Sequence, residues 1–131
     1  MWALLFPRSF YDDFPAIGGM AWVNVDGPYN EHLLRDLGAT NLAILVVVVV
    51  AAIRLTRTLV VTAALASLAW GVPHLVYHIF ATDGLSTTDL VFNFVALVTY
   101  AATPVLLLAM RNHLPVATVA SESIEPAVAE V

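Results

Sequence analysis

Three pairs of polar side chains that could do chemistry stand in otherwise apolar stretches of the chain. In each pair the residues are four positions apart: His32 and Asp36, His74 and His78, and Asp89 and Asn93. Residues at this spacing share one face of an α-helix, so each pair could present two groups to the same neighbour. Imidazoles and carboxylates bind metal ions, and a histidine exchanges protons near neutral pH. These residues are therefore the first candidates for a functional site.

A metal ion or a haem is one interpretation of the histidine pair. His74 and His78 could supply two ligands, and zinc, iron, copper or manganese suits imidazole with carboxylate. The set could be completed by His32, Asp36 or Asp89. The spacing HxxxH is a weak signal alone, and the metalloprotease motif HExxH needs a glutamate where this chain has Leu75. The pattern thus allows a redox protein and disfavours a zinc protease.

Binding of a lipid headgroup or another small polar ligand by the same layer is a second alternative. Proton relay and membrane-surface enzyme chemistry use the same groups. A continuous transport path is disfavoured, because only Thr56, Thr58 and Thr62 are polar in the opposite half of the first two apolar stretches. No catalytic residue is predicted, and the chain is interpreted as non-enzymatic.

A structural role is the favoured interpretation of the polar residues. Polar side chains on neighbouring membrane helices form hydrogen bonds that contribute about 0.6–2 kcal/mol each. Arg35 and Asp36 could pair with histidines and with the acids Asp12 and Asp13 of the N-terminal segment. Such bonds would tie that segment to the helices and leave its acidic, aromatic surface for recognition of a partner.

The elements that carry these residues are long and apolar. Of the 131 residues, 60% are hydrophobic and 11% are charged, whereas soluble domains carry roughly 25% charged residues. Three stretches reach the roughly 20 apolar residues that cross a bilayer; they cover about 33–53, 59–80 and 90–110. Helices satisfy their own backbone groups in lipid. The sequence therefore predicts an all-α, polytopic transmembrane helical bundle in a single domain, residues 1–110.

The arginines predict the orientation of these spans. Arg54 and Arg57 lie between the first two spans and Arg111 follows the third, and basic segments stay in the cytoplasm. We expect a multi-pass protein of a bacterial plasma membrane with its N-terminal segment outside. Residues 111–131 are predicted to be a disordered cytoplasmic tail. The net charge of −5 disfavours nucleic acid, so the expected partners are lipid, a membrane protein or a second copy.

The segment before the first span is predicted to lie at the membrane surface. Prolines, glycines and acids interrupt residues 7–29, and the aromatic rings between them suit the membrane–water boundary. We call this segment the flap and expect it to cover the exoplasmic helix ends. The preceding MWALLF is too short to span and is predicted to be a helical remnant. Asn30 is expected to cap the first span, and Ser86 with Asp89 to form a capping box before the third.

Several blocks of the sequence carry a resemblance to known membrane proteins. PRSFYDDFP, GPYNEHLLRDLGATNLA and GVPHLVYH resemble a family of small uncharacterised integral membrane proteins from actinobacteria. The arrangement is also broadly similar to the DoxX-like four-helix membrane proteins. The resemblance covers about residues 3–110, and NEHLLRDLG and VPHLVYH are its most specific parts. The resemblance implies a parent bundle of four helices, and this chain begins within the first of them. It implies no activity.

We therefore expect an accessory or interaction subunit with a polar His/Asp layer at the exoplasmic end of its bundle. A metal- or haem-binding redox protein and a lipid-headgroup or small-ligand protein are the alternatives. The cofactor is left open, with a metal or haem at His74 and His78 as the possibility that the residues allow.

Overall fold

The computed structural model describes residues 1–116 and is all-helical over that part of the chain. The elements are α1 (Trp2–Leu5), α2 (Pro7–Asp13), α3 (Glu31–Arg54), α4 (Arg57–Phe80), α5 (Thr87–Ala109) and a 3₁₀ helix (Arg111–His113). Helices α3, α4 and α5 are long and apolar enough to cross a membrane. The predicted all-α class and the three spans are confirmed, with each end within three residues of its predicted position.

The span ends are capped by the residues that the sequence indicates. The Asn30 side chain accepts a hydrogen bond from the Leu33 backbone N–H at 3.1 Å, which satisfies one of the free donors at the start of α3. Ser86 and Asp89 form the predicted capping box at the start of α5. Helix α3 ends at Arg54, and Leu55, with a φ of 45°, turns the chain so that α4 begins after only two linking residues.

The spans form the predicted helical bundle, in which α4 is the central helix and the three spans lie in an open row. Helix α4 packs against both α3 and α5, while α3 and α5 do not approach each other within residues 1–116. Between α3 and α4 the core is a small apolar cluster of Ala51, Val60 and Ala63, against which Leu114 packs. Only 11% to 22% of the most apolar stretch of each span is buried, so most of the side-chain surface faces outward.

Two glycines allow the closest helix contacts. A Cβ atom on Gly38 of α3 would lie 2.7 Å from the Cα of Leu4 in α1. A Cβ atom on Gly71 of α4 would lie 2.6 Å from the Tyr100 ring of α5. Both distances are shorter than carbon atoms tolerate, so these positions set how α1 sits on α3 and how α4 sits on α5.

The flap contains a helix that the sequence analysis did not predict. Helix α2 begins with Pro7 at its first position, where the fixed φ of proline suits a helix start. An aromatic cluster joins the flap to α1, with ring centroids 5.7 Å apart for Trp2 and Phe10 and 5.9 Å apart for Phe14 and Trp22. The flap is therefore a packed segment with helical and irregular parts.

The predicted disordered tail lies mostly outside the described residues, which end at 116. Its first residues form the 3₁₀ helix, where the sequence analysis predicted no regular structure. The carbonyl of Pro115 accepts a hydrogen bond from the Arg57 backbone N–H at 2.8 Å. This bond and the packing of Leu114 tie the start of the segment to the first turn of α4.

Candidate functional site

The expected polar layer is divided between two opposite sides of the molecule. On α3, the buried residues Leu34 and Gly38 face α1. His32 and Asp36 each lie two positions earlier, which rotates them by about 200° around the helix. His32 Nε2 lies 3.2 Å from Asp36 Oδ2, and the two side chains remain 89% and 63% exposed. The pair points away from the other spans, so the structure does not bring it to the histidines of α4.

The second half of the layer lies between α4 and α5. The contact of Gly71 with Tyr100 sets the level of these antiparallel neighbours. His78 and Asn93 each lie seven residues from that contact, about two helical turns, so they stand at one level on the contacting faces. His78 is 8% exposed and Asn93 is 6% exposed. They are the buried polar residues of the described chain.

The imidazoles of α4 stack along the helix rather than converge on one point. The His74 ring lies flat on Trp70, with centroids 4.4 Å apart. The His74 and His78 rings meet edge to face at 4.7 Å and 79°. The Nδ1 atom of His78 is buried and has no hydrogen-bond partner within residues 1–116.

Asp89 forms hydrogen bonds both with the flap and with the start of α5. Its Oδ1 accepts a hydrogen bond from the Trp22 indole N–H at 3.0 Å, and its Oδ2 accepts the bonds from Ser86 that complete the capping box. Trp22 is buried. This bond fastens the flap over the end of α5 and uses both carboxylate oxygens of Asp89.

Asp26 brings a flap carboxylate into the electrostatic range of His78. Desolvation by neighbouring atoms raises the pKa of Asp26, although the residue as a whole is exposed, and the charge of a protonated His78 acts in the opposite direction. The flap therefore approaches α4 as well as α5 at this end of the molecule.

No group of three or more His, Cys, Asp or Glu residues within residues 1–116 is arranged to hold a metal ion. The two imidazoles of α4 have no third ligand beside them in that part of the chain. His32 and Asp36 lie on the outer face of α3, and Asp89 is bonded to Trp22 and Ser86. The metal or haem interpretation thus has two of its expected ligands in proximity and the others elsewhere.

The remaining predicted residues line an open cleft of about 570 Å³ between α2 and the start of α3. We call it the arginine cleft. Its lining residues are Phe6, Pro7, Arg8, Ser9, Asp12, Asp13, Tyr29, Glu31 and Arg35. Arg8, Tyr29 and Glu31 were not among the predicted site residues. Their spacing indicates helical ion pairs, because Arg8 and Asp12 carry opposite charges four residues apart, as do Glu31 and Arg35.

Ion pairs hold the charged side chains of the arginine cleft in place. Arg8 Nε lies 2.7 Å from Asp12 Oδ2, and Arg35 donates to Glu31 Oε1 at 2.8 Å. Arg35 also donates to the Leu4 carbonyl at 2.6 Å, which ties α3 to α1. Each arginine is thus paired at the protein surface with a carboxylate one turn away on its own helix.

Tyr29 forms an aromatic wall of the arginine cleft. The Arg8 guanidinium lies 5.0 Å from the centre of its ring, within the range of a cation–π contact. Burial raises the pKa of Tyr29, and the neighbouring Glu31 carboxylate raises it further. The phenol therefore stays protonated at neutral pH and can donate a hydrogen bond.

No family model, curated protein or solved structure matches this chain. The resemblance to DoxX-like proteins therefore stays a prediction.

A third feature is apolar and lies on the side of α5. We call it the lateral groove, and its volume is about 370 Å³. Five of its lining residues form one stripe of α5, with Leu75 of α4 beside them; they are Val98, Ala101, Ala102, Val105 and Leu106. Two small alanines in the middle of the stripe allow another helix backbone to approach closely.

Proposed function

We propose that this chain is a non-enzymatic, multi-pass membrane protein that acts as an accessory subunit, packing against a transmembrane helix of a partner protein. The observation that supports the proposal best is the open row of spans. Helices α3 and α5 flank α4 without approaching each other within residues 1–116. Such a row presents two broad helical faces to the membrane, and a further helix can pack there.

The lateral groove is the part of this surface that suits a helix best. Without a hydrophobic driving force in lipid, membrane helices associate through close packing of small residues. Ala101 and Ala102 supply such residues, with branched side chains on either side. A partner helix with its own small or aliphatic residues could fill this groove along about two turns of α5.

The non-enzymatic role is supported by the polar residues whose side chains bond within the chain. Arg35 bonds Glu31 and Leu4, and Asp89 bonds the flap and the capping box. Three exposed threonines of the spans donate to the carbonyl four residues earlier on their own helices; they are Thr40, Thr62 and Thr103. These groups need no other partner in lipid.

A photo-crosslinking experiment in living cells tests the accessory role. A benzophenone amino acid replaces Ala102 in the lateral groove, and the matched control carries it at the exposed Leu45 of α3. We expect irradiation to give one discrete adduct with a different membrane protein from position 102 and none from position 45. Placing the benzophenone at Ala101 should give the same partner.

The test includes a variant that closes the groove. Val98→Trp, combined with the benzophenone at 102, should abolish the adduct because the indole occupies the space of the partner helix. An adduct with a second copy of this chain would contradict the accessory role and indicate a homo-oligomer. Crosslinks to lipid alone at both positions would show that no helix covers the groove.

A further inference from the structure

We propose that the arginine cleft binds the phosphoethanolamine headgroup of a membrane phospholipid. This inference goes beyond the accessory role, because it concerns a different surface and a ligand that is not a protein. It rests on the position of the cleft, its balance of charge and the hydrogen-bonding atoms that its side chains leave open.

The cleft lies at the level where headgroups are found. Helix α3 has 24 residues, or about 36 Å at ~1.5 Å per residue, while the hydrocarbon core is about 30 Å thick. The first turn of α3, which carries Glu31 and Arg35, therefore emerges into the headgroup region. Phe6, which lines the cleft, is 65% exposed and can contact acyl chains below the headgroup.

The balance of charge favours a ligand that carries both signs. The lining includes two arginines and three carboxylates, Asp12, Asp13 and Glu31. The cleft thus has an excess of one negative charge. A headgroup with a phosphate alone would face this excess, whereas a headgroup that also carries an ammonium group can neutralise the carboxylates and still contact an arginine.

The carboxylates have acceptor atoms in reserve for an ammonium group. Within residues 1–116, the hydrogen bonds of Asp12 and Asp13 use their Oδ2 atoms and those of Glu31 use Oε1. The second oxygen of each carboxylate is left for a ligand. A primary ammonium group has three N–H donors, which matches three such oxygens around one cleft.

The phosphate is assigned to Arg8. Its Nε bonds Asp12, while its two terminal nitrogens have no protein acceptor within the described residues and can bind two phosphate oxygens, the bidentate contact that guanidinium groups favour. Arg35 contributes charge but donates its own hydrogens to Glu31 and Leu4. The two arginines therefore have different roles, with Arg8 binding and Arg35 positioning.

The cleft should prefer ethanolamine to choline. A choline group has no N–H donor for the three carboxylate oxygens, and it is bound mainly by the faces of aromatic rings. In this cleft the Arg8 guanidinium already contacts the aromatic rings, lying over Tyr29 at 5.0 Å and over Tyr11 at 5.7 Å. A primary ammonium keeps the full set of hydrogen bonds, so the geometry discriminates between the two headgroups.

Native mass spectrometry of the detergent-solubilised full chain tests the proposal. The protein is titrated with short-chain phosphatidylethanolamine, phosphatidylcholine or phosphatidylglycerol, and with free O-phosphoethanolamine. We expect phosphatidylethanolamine to bind about tenfold more tightly than the other two lipids, since several charge-assisted hydrogen bonds are lost with each of them. Free O-phosphoethanolamine should bind more weakly than the lipid, because it lacks the acyl contacts.

Variants assign the preference to named atoms. Asp13→Asn with Glu31→Gln should equalise binding of the ethanolamine and choline lipids. Arg8→Gln should weaken binding of both about equally. The matched control is Asp83→Asn, which changes an exposed acid outside the cleft and should leave the preference unchanged. Thermal unfolding of each variant separates lost binding from lost structure.

The comparison of lipids on the unchanged protein tests the headgroup preference even if a variant does not fold. Equal affinity for the ethanolamine and choline lipids would overturn the proposal, and so would the tightest binding for phosphatidylglycerol. Free O-phosphoethanolamine binding as tightly as the lipid would mean that the cleft takes a soluble ligand, which would overturn the lipid assignment. None of these outcomes depends on whether the lateral groove binds a partner helix.

Discussion

The His78 imidazole contains a buried nitrogen atom, Nδ1, without a hydrogen-bond partner among the described residues. Such a group costs roughly 1–3 kcal/mol when it stays unpaired. It is the buried side-chain nitrogen or oxygen atom of residues 1–116 that lacks a partner, so it either reduces stability or has a partner from outside those residues. Substitution separates the two cases.

Replacing His78 by leucine should leave the free energy of unfolding unchanged or raise it by about 1 kcal/mol, because the unpaired nitrogen disappears from a buried position. Thermal unfolding in detergent measures the change. His74→Leu, which alters a half-buried imidazole stacked on Trp70, is the matched control. Metal and haem analysis of the unchanged protein should find neither in stoichiometric amount. A metal or haem that is lost in His78→Leu would contradict this expectation and support the redox alternative.

The hydrogen bond between Trp22 and Asp89 should fasten the flap to α5. Trp22→Phe removes the indole N–H and keeps most of the aromatic packing, so we expect a loss of about 0.5–1.5 kcal/mol in stability. Ser86→Ala removes the hydroxyl that caps α5 and bonds Asp89 Oδ2 but keeps the indole N–H of Trp22, for a loss of roughly 1 kcal/mol. Proteolysis of the flap should accelerate in Trp22→Phe but not in Ser86→Ala. Equal proteolysis of both variants would show that the bond does not hold the flap.

At the scale of the elements, hydrophobic length and capping residues were sufficient to predict the three spans. Asn30 and Ser86 mark helix starts that the structure confirms. The rotation of each helix about its axis was not predictable, because spacing four places two residues on one face without saying where that face points. The contact of Gly38 with Leu4 turns α3 so that His32 lies outside, and this contact joins distant parts of the chain.

The arginine cleft illustrates the same limit. Asp12, Asp13 and Arg35 were predicted as polar candidates, but helix α2 was overlooked because the acids and prolines of the flap suggested an irregular segment. Pro7 at the first helical position and the pairing of Arg8 with Asp12 were the signals for it. The cleft itself depends on how α2 lies against α3, which no local pattern specifies.

Gly71 controls the distance between α4 and α5. Gly71→Ala places a methyl group 2.6 Å from the Tyr100 ring, so the helices must separate or the ring must move. We expect a loss of about 1–3 kcal/mol, the usual cost of an overfilled contact. Ala69→Gly, at an exposed position of the same helix, should cost no more than about 1 kcal/mol. Gly71→Ala combined with Tyr100→Ala should recover part of the loss; no recovery would mean that another contact is responsible.

At the scale of the whole molecule, the open row divides the surface into regions with different chemistry. The arginine cleft and the flap lie at one end, near Asn30 and Ser86, while Arg54, Arg57 and Arg111 lie at the other end. The long sides between the two ends are apolar. This division fits a multi-pass membrane protein, and it makes the direction of insertion a testable property.

Labelling of single cysteines tests the predicted orientation. The chain contains no cysteine, so Ser86→Cys and Thr56→Cys each introduce a unique thiol at opposite ends of α4 and α5. A membrane-impermeant maleimide added to intact cells should label position 86 and not position 56, because basic segments are retained in the cytoplasm. Both positions should react after the cells are opened. The reverse pattern would place the flap in the cytoplasm.

The two-residue link between α3 and α4 constrains how a ribosome can deliver this protein to the bilayer. Leu55 and Thr56 separate the two helices, and two extended residues span only about 7 Å. Helix α4 therefore cannot remain in water far from the membrane after α3 has inserted into lipid. The pair must enter as one hairpin, with Ala51, Val60 and Ala63 already in contact near its tip. We therefore expect α5 to insert after this hairpin.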